Sequence, residues 1–328
     1  MTLKEIAALA GVSPAAVSRY LNGGSLSKEK REQIRQVVEQ TDYHPNRLAH
    51  DLRKGSARQV GVIVPKIHST SVSEVLEGIT DVLSKEQYLT MLCCTEGDEE
   101  KEPDFMDLLQ SYQVAGLIVM GTTVTKEREK QYQELEVPVV ITGQSYDSLD
   151  CICHEDRQAM YVLAEKMLEK GRRNLAYIGV RESDPAAGRQ RRLGAQQALS
   201  DWGIDPESMP TAIADFSVKS GYRAMQALLD DGLRPDGVLA ATDSIAQGAM
   251  LALKEAGLRV PEDVSIAGIG NDEIDRISEP RLTTVKLYQY ECGREAAKML
   301  LSRLENEREA MPPRKIRMGF TLMERGSI

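Results

Sequence analysis

The hydrophobic positions at the start of the chain follow helical spacing. Residues 3–10 present a small apolar face, Thr2 and Glu5 form a capping-box pair at its start, and Gly11 supplies a left-handed turn at its end. A second helix follows at once, because Ser13 is a good N-cap and the proline after it is tolerated at a first helical position. The pattern predicts a helix-turn-helix, whose second helix enters the major groove of DNA.

A third helix is predicted beside this pair. Residues 28–40 form an amphipathic pattern, and Val17 and Leu21 of the second helix are expected to face inward with it. An ordinary packed helical hairpin is the alternative, because small helix pairs are common. The side chains left facing outward on the second helix are those of Ala15, Ser18 and Arg19.

The rest of the chain alternates apolar strand-like runs with helical patterns. Strands are predicted at residues 59–65, 88–94, 114–120, 137–142, 149–153, 174–180, 211–216, 236–242 and 264–269. Helices are predicted near residues 71–86, 104–112, 126–135, 156–170, 187–202, 219–232, 244–257 and 289–307. Such alternation indicates parallel sheets covered on both faces, and the two sets of strands indicate two similar halves. A ligand is expected beyond the carboxyl ends of the strands, in the cleft between the halves.

The net charge of −9 is divided unevenly along the chain. Residues 1–58 hold ten Lys/Arg and six Asp/Glu, a balance of +4, whereas the remaining residues hold 31 against 44, a balance of −13. Attraction to DNA phosphates is therefore expected of the first module alone.

Composition indicates a soluble globular protein of the cytoplasm. Of the 328 residues 41% are hydrophobic and 28% are charged, and no apolar run reaches the roughly 18 residues that a membrane span needs. The start of the chain lacks the pattern of a secretion signal. Five cysteines, an odd number, fit free thiols in a reducing compartment.

Four motifs occur in order along the chain: "TLKEIAALAGVS", "AVSRYLN", "YHPNRLAHDLRKG" and "VGVIVP". With them the sequence resembles the lactose-repressor family of bacterial transcription regulators, and the resemblance extends along the whole chain. The late motifs "ATD", "GN" and D-x3-G-x2-R are similar to those of repressors of sucrose and trehalose utilisation.

The resemblance implies an all-α helix-turn-helix DNA-binding domain and an α/β periplasmic-binding-protein-like body of two Rossmann-like subdomains with parallel sheets. The DNA-binding domain is expected at residues 1–44, the hinge helix and linker at 45–58, and the effector-binding and dimerisation domain at 59–328. Within that body the N-subdomain is expected at about 59–156 and 288–316, and the C-subdomain at about 157–287 and 317–328. The resemblance also implies three crossovers between the halves, with the last strands returning to the first half.

Base recognition is expected from the second helix. Arg19 is suited to guanine N7 and O6, with a phosphate contact as the alternative, and Pro14 and Ala15 occupy the positions that vary in the family to select operators. The hinge helix of the family orders on operator DNA, and Leu52 falls at the position of its wedge leucine. A core stripe formed with Leu48 is the alternative for Leu52. The other residues assigned to DNA, mostly as groups that contact its backbone, are Thr2, Ser13, Ser18, Asn22, Asn46 and Ala49.

The effector site is expected from polar residues that follow strands. An aromatic ring, an arginine and hydroxyl-pairing groups suit a sugar, and the resemblance matches Arg191 and Phe216 to the family's sugar-contacting arginine and stacking ring. Lysines are suited to a phosphate on that sugar. The alternatives are an ion pair between domains for Arg191, a helix cap for Asp243 and a solvated charge for Lys66. The complete set is Lys66, His68, Ser69, Asp184, Arg191, Phe216, Lys219, Thr242, Asp243 and Asn271.

Together these features predict a transcriptional regulator, not an enzyme, that represses a carbohydrate-utilisation operon. Its expected partners are a palindromic operator, a sugar or sugar phosphate and a second copy of the chain, with no membrane, cofactor or metal ion. Cys151, Cys153 and His154 look like a metal site, but strand alternation would point the histidine away from the two thiols. A regulator that takes a purine corepressor is the alternative function. A sugar-transport protein would share the body but lack the DNA module.

Overall fold

The computed structural model describes residues 1–21, 24–41, 43, 58–306 and 311–328. The chain forms two compact units, Met1–Ala57 and Arg58–Ile328. Within the described ranges no helix has the length and apolar character needed to cross a membrane. The predicted hinge helix and four of the residues assigned to DNA lie outside the described residues, namely Asn22, Asn46, Ala49 and Leu52.

The first unit has three described helices: α1 (Leu3–Leu9), α2 (Pro14–Leu21) and α3 (Lys28–Thr41). Their apolar faces meet around Ile6, Val17 and Ile34, which are completely buried. The helical spacing of these positions in the sequence explains why the three helices enclose a common core, even in so short a module. The predicted order of helices is confirmed, and the third helix extends one residue beyond its predicted end.

The second unit contains two six-stranded sheets. The strands of the first sheet are β1 (Gln59–Val64), β2 (Leu89–Cys94), β3 (Gly116–Met120), β4 (Val139–Thr142), β5 (Asp150–His154) and β11 (Lys315–Met318), in the order β11-β5-β4-β3-β1-β2. The strands of the second are β6 (Leu175–Gly179), β7 (Thr211–Ile213), β8 (Gly237–Ala240), β9 (Ser265–Gly270), β10 (Thr283–Leu287) and β12 (Phe320–Met323), in the order β12-β10-β9-β8-β6-β7. Every pairing is parallel except that of β10 with β12.

Helices cover the sheets, as the alternating pattern predicts. They are α4 (Thr70–Lys85), α5 (Lys101–Ser111), α6 (Lys126–Gln133), α7 (Asp156–Glu169), α8 (Arg191–Asp201), α9 (Val218–Asp230), α10 (Asp243–Glu255) and α11 (Gln289–Glu305). One apolar core belongs to the second sheet, and two further cores cover the two faces of the first. The first sheet with α4–α6 and α11 is called lobe 1 below, and the second sheet with α7–α10 is called lobe 2.

The chain passes between the lobes three times, after β5, after β10 and between β11 and β12. The three crossovers and the fold class are therefore confirmed. The expectation that the last strands return to the first half needs correction, because only α11 and β11 return, whereas β10 and β12 complete the second sheet. β11 stays paired with β5 as far as Met318, opposite His154, so the crossing falls two residues after the subdomain boundary expected at 316/317.

Two predicted elements differ from the structure in a way that affects the cleft. The strand predicted at 211–216 ends at Ile213, because Ser217 caps α9 and residues 214–216 form the approach to that helix. The helix predicted at 187–202 begins as a π-helix over Pro185–Gln190 before α8 continues it. A one-turn π segment of this kind is rare and is frequently found at functional sites.

Candidate functional sites

The turn of the first unit is built by the residues that the sequence indicates. The backbone N–H of Glu5 donates to Thr2 Oγ1 at 3.3 Å, and the N–H of Thr2 donates back to the Glu5 carboxylate at 2.7 Å. Gly11 has a φ of +62°, the left-handed conformation that favours glycine. The N–H of Ala16 donates to Ser13 Oγ at 3.3 Å, so this serine caps α2 as predicted. These caps fix where α2 starts and therefore which side chains it presents.

The exposed face of α2 carries the residues predicted to read bases. Pro14, Ala15 and Arg19 are exposed, and Ser18 is half-buried. The opposite face holds Val17 in the core. The module thus combines a helix of suitable length with an exposed arginine, as direct readout of guanine requires. Their contacts with DNA stay predictions.

A large cleft opens between the two lobes of the second unit, with a volume of about 990 Å³. It lies at the carboxyl ends of the parallel strands, where open α/β sheets bind their ligands. Eight of the ten predicted effector residues line it: Lys66, His68, Ser69, Asp184, Arg191, Phe216, Thr242 and Asp243.

Lys219 and Asn271 are not among the residues that line the cleft. α9 directs Ser220 and Arg223 to the cavity. Lys219 lies on the same face of α9 as Arg223 but one turn earlier, in the first turn of the helix, and its side chain is exposed. The Asn271 side chain accepts a hydrogen bond from Arg325 and has a left-handed backbone with a φ of +64°.

The D-x3-G-x2-R motif forms the π-helix of the cleft wall. Asp184 caps it, because its Oδ1 accepts from the N–H of Ala187 at 3.0 Å. Gly188 packs against the preceding loop so closely that a Cβ atom would lie 2.1 Å from the carbonyl oxygen of Arg181. Only glycine fits there, and its contact sets the direction in which Arg191 leaves the segment.

Arg191 is held in a defined position by two neighbours. Its Nε donates to Asp156 Oδ1 at 2.8 Å, its Nη2 lies 2.7 Å from the same oxygen, and its Nη1 donates to the carbonyl oxygen of Ala241 at 2.5 Å. An ion pair is therefore present, but it joins two helices of lobe 2 and is not the pair between domains that the sequence left as an alternative. Nε and Nη1 each use one N–H group in a hydrogen bond and Nη2 faces Asp156, so the side chain lines the cleft with two of its five N–H donors to spare.

Asp243 is held by the scaffold of lobe 2. Its carboxylate oxygens accept from Thr284 Oγ1 at 2.7 and 2.8 Å and from the backbone N–H of Asn271. Burial raises its pKa, and the neighbouring carboxyl of Asp275 adds to the effect. The helix cap expected of Asp243 is supplied by Thr242 instead, whose hydroxyl accepts from the N–H of Ile245 at 3.4 Å.

Contacts between side chains that line the cleft join the two lobes. Gln144 Nε2 donates to Asp184 Oδ1 at 2.9 Å, and Lys66 Nζ lies 5.6 Å from the centre of the Phe216 ring. Burial raises the pKa of Asp184, while the hydrogen bonds from Ala187 and Gln144 oppose that rise. Because each contact links one residue of lobe 1 to one of lobe 2, a ligand in the cleft must rearrange or accommodate both.

Several cleft residues were missed by the sequence reasoning. They are Thr142, Gln144, His154, Asp156, Arg181 and Arg223. The rule that polar residues after strands form the site covers Gln144 and Asp156, which follow β4 and β5, but the prediction did not apply it to those two strands. Arg223 had no comparable signal, because it lies inside a helix whose cleft-facing side depends on packing.

Two sequence profiles match the chain: that of bacterial regulatory proteins, lacI family, over residues 2–46, and that of the periplasmic binding protein-like domain over residues 164–328. The sucrose operon repressor of Staphylococcus xylosus is 31% identical over 289 residues, 88% of this chain and 89% of that protein. The HTH-type transcriptional repressor PurR of Pectobacterium carotovorum subsp. carotovorum (strain PC1) is 29% identical over 333 residues, 100% of this chain and 96% of that one. The solved structure of the transcriptional regulator CelR–cellobiose complex has a TM-score of 0.75 at 26% identity and covers 100% of this chain and 99% of that one.

These similarities agree with the two units of the structure. The lacI profile covers the three helices of the first unit, and the second profile lies within the two-lobed body. The sucrose operon repressor matches nearly nine-tenths of both chains, which includes both lobes. Proteins of this kind regulate transcription by binding DNA and are not enzymes. The chain therefore belongs to the lacI family of bacterial regulatory proteins.

Proposed function

We propose that the protein represses a carbohydrate-utilisation operon in the cytoplasm and that a sugar or sugar phosphate in the cleft controls its affinity for operator DNA. The observation that carries this proposal is the cleft, which combines the Phe216 ring with polar groups from many strand ends. A ring that stacks on the apolar face of a sugar and polar groups that pair with its hydroxyls are what carbohydrate recognition needs. The names of the sucrose operon repressor and the CelR–cellobiose complex support the same class of ligand.

The cations of the cleft define where a phosphate group would bind. Lys66, Arg181 and Arg223 line the cavity, and none of them has an ion pair with a described residue. Lys219 was the second lysine expected at this site, and the proposal replaces it with Arg223 from the cleft-facing side of α9. Lys66→Ala should weaken binding of sucrose 6-phosphate at least about tenfold more than binding of sucrose, because only the phosphate offers a charge to pair. Lys219→Ala is the matched control, and equal losses in both variants would contradict the assignment.

Control of DNA binding would act through the two contacts across the cleft. A ligand that changes the Gln144–Asp184 and Lys66–Phe216 contacts favours one arrangement of the lobes over another. Effector and operator must then change each other's affinity by the same factor. On the DNA side, Arg19 would read a base in the major groove, and Leu52 would act as the hinge wedge.

We propose that the active species is a homodimer, whose two recognition helices read the two halves of a palindrome. Large apolar side chains are exposed on α10 at Leu251 and after β9 at Ile274 and Ile277, the last of which is 77% exposed. A hydrogen bond from Gln247 to Asp275 joins α10 to this segment. Ile277→Asp should shift the protein from dimer to monomer in light scattering at micromolar concentration. Tyr112→Asp, an exposed position beyond α5, is the control, and a stable tetramer of the wild type would contradict the proposal.

The effector is tested directly by thermal shift and calorimetry with sucrose, sucrose 6-phosphate, cellobiose and ribose. A ligand at a hundred times its Kd adds about 2.7 kcal/mol of stability, which is easily measured. Each ligand that binds is then added to a complex with operator DNA selected from a random palindromic library. Binding without any change in operator affinity would contradict the control mechanism.

A purine is the second candidate ligand, because the PurR repressor matches the whole chain at 29% identity. Hypoxanthine is therefore included in the same titrations. Tighter operator binding with hypoxanthine, and no response to any of the sugars, would replace the carbohydrate proposal with a purine-dependent one.

A further inference from the structure

Two buried polar atoms of the cleft have no hydrogen-bond partner among the described residues. They are Thr142 Oγ1 and His154 Nε2, from side chains that are only 1% and 8% exposed. Both residues line the cleft between the lobes. Buried polar atoms of proteins are nearly always hydrogen-bonded, so two unpaired ones in a ligand cavity indicate a function in binding.

The sheet places these two side chains together. β4 and β5 are parallel neighbours, and Thr142 is paired with Ile152, two residues before His154. Side chains two residues apart in a strand lie on the same face of the sheet. Thr142 and His154 therefore share one face at the carboxyl ends of adjacent strands, where the chain crosses from lobe 1 to lobe 2.

The protonation of His154 follows from its surroundings. Burial lowers its pKa, and the nearby Asp156 carboxylate and a hydrogen bond to the backbone of Tyr288 only partly oppose this. The ring is therefore neutral near pH 7. Because Nε2 is the unpaired nitrogen, Nδ1 is left to donate to Tyr288, and Nε2 remains a hydrogen-bond acceptor.

We infer that Thr142 and His154 form a hydroxyl-recognising subsite at the base of the cleft. A hydroxyl of the ligand donates its proton to His154 Nε2, and the Thr142 hydroxyl donates to a ligand oxygen beside it. A phosphate dianion has no proton to give to Nε2. A phosphorylated ligand thus places its unmodified sugar hydroxyls at this subsite and its phosphate toward Lys66. This inference rests on the proposed sugar effector. It assigns the end of the ligand that carries unmodified hydroxyls to the base of the cleft.

The test uses the full-length protein and calorimetry with sucrose, sucrose 6-phosphate, cellobiose and ribose. Thr142→Val removes the hydroxyl at nearly constant volume. His154→Asn removes the Nε2 acceptor while its amide can still reach the Tyr288 backbone, whereas His154→Gln places an acceptor near the position of Nε2. Thr123→Val is the matched control, because the Thr123 hydroxyl is also buried without a partner among the residues that the structure describes, but it does not line the cleft.

Thr142→Val and His154→Asn should each weaken binding of the sugars roughly five- to tenfold, with His154→Gln retaining most of the affinity and Thr123→Val all of it. In the absence of sugar, Thr142→Val should melt no lower than the wild type, because no bond within the protein is lost. A structural hydroxyl would give the opposite result, a lower melting temperature with unchanged affinity.

Two failures are distinguishable. If the wild type binds none of the four sugars, the proposed function is overturned and the subsite with it. If the wild type binds a sugar and Thr142→Val and His154→Asn bind it as tightly as Thr123→Val does, the subsite alone is overturned.

Discussion

The ion pair between Arg191 and Asp156 offers the sharpest test of how the cleft is built. Both side chains are nearly inaccessible, at 9% and 6% exposed, and the nearest nitrogen and oxygen are 2.7 Å apart. At an effective dielectric constant of about 20, two unit charges at this distance attract by about 6 kcal/mol. Removing both charges from water costs several kcal/mol per ion, so the net value of the pair is small, while the loss of one partner is severe.

Arg191→Met should therefore lower the free energy of unfolding by about 3–5 kcal/mol, because Asp156 remains buried without its counter-charge. Trp202, the single tryptophan of the chain, lies in lobe 2 and reports on its unfolding in urea by fluorescence. The control is Arg192→Met, which breaks the neighbouring, more exposed pair with Glu182 and should cost no more than about 1 kcal/mol.

The double variant Arg191→Met, Asp156→Leu separates stability from ligand binding. With both charges gone, most of the lost stability should return, since apolar pairs of similar volume replace buried ion pairs at little cost. The response to sugars should stay absent, because the two free N–H donors of Arg191 are gone. A stability change below about 1 kcal/mol in Arg191→Met would refute the buried pair, and a double variant that still responds to sugar would refute the ligand contact.

The remaining predictions concern one residue each. Arg19→Ala should lose about 1–3 kcal/mol of operator affinity at fixed salt together with discrimination at one base pair, whereas equal losses on all sequences would indicate a phosphate contact. Gly188→Ala should lower the free energy of unfolding by about 1–3 kcal/mol and abolish the sugar response, because the added Cβ would overlap the backbone of Arg181. Gly319→Ala should do neither, because a Cβ there would have no atom within 4 Å. Burial lowers the pKa of His154 in the folded protein, so as the pH falls the unfolded chain binds a proton at this residue at a higher pH than the folded protein does. The wild type should therefore lose stability relative to His154→Gln as the pH falls below about 6.5. If the urea midpoints of these two proteins changed by the same amount between pH 7.5 and pH 5.5, the result would contradict the burial of this ring.

The elements of the fold were largely predictable because they depend on local pattern. Caps and a single left-handed glycine define the first helices, and apolar runs define most strands of the body. The strands from β10 onward were not predicted individually. β11 and β12 have only four residues each, all of them half-buried or exposed, so their sequences carry little of the continuous apolar signal on which the prediction relied.

The positions of side chains along the cleft were less predictable. The π-helix before α8 adds residues to a turn, and this shifts every later side chain relative to the regular helical pattern. Position along α9 also decides between Lys219 and Arg223, which share one face of the helix but lie one turn apart, so that only Arg223 lines the cleft. Periodicity predicts that α9 is a helix, but the direction of its polar residues depends on how it packs against α10.

Hydrogen-bonding capacity explains why residue type alone could not identify the ligand contacts. Asp243 and His154 are both polar residues at the carboxyl end of a strand, so the sequence treats them alike. In the structure the oxygens of Asp243 are occupied by Thr284 and the backbone after β9, and the carboxyl connects β10 to α10. His154 Nε2 has no such partner and lines the cavity. A polar atom whose bonds are all made within the protein stabilises the scaffold, while one with unused capacity in a cavity is available to a ligand. That difference arises only when strands distant in sequence are brought together, and for this reason our proposal assigns the ligand contacts to Thr142 and His154 and a scaffold role to Asp243.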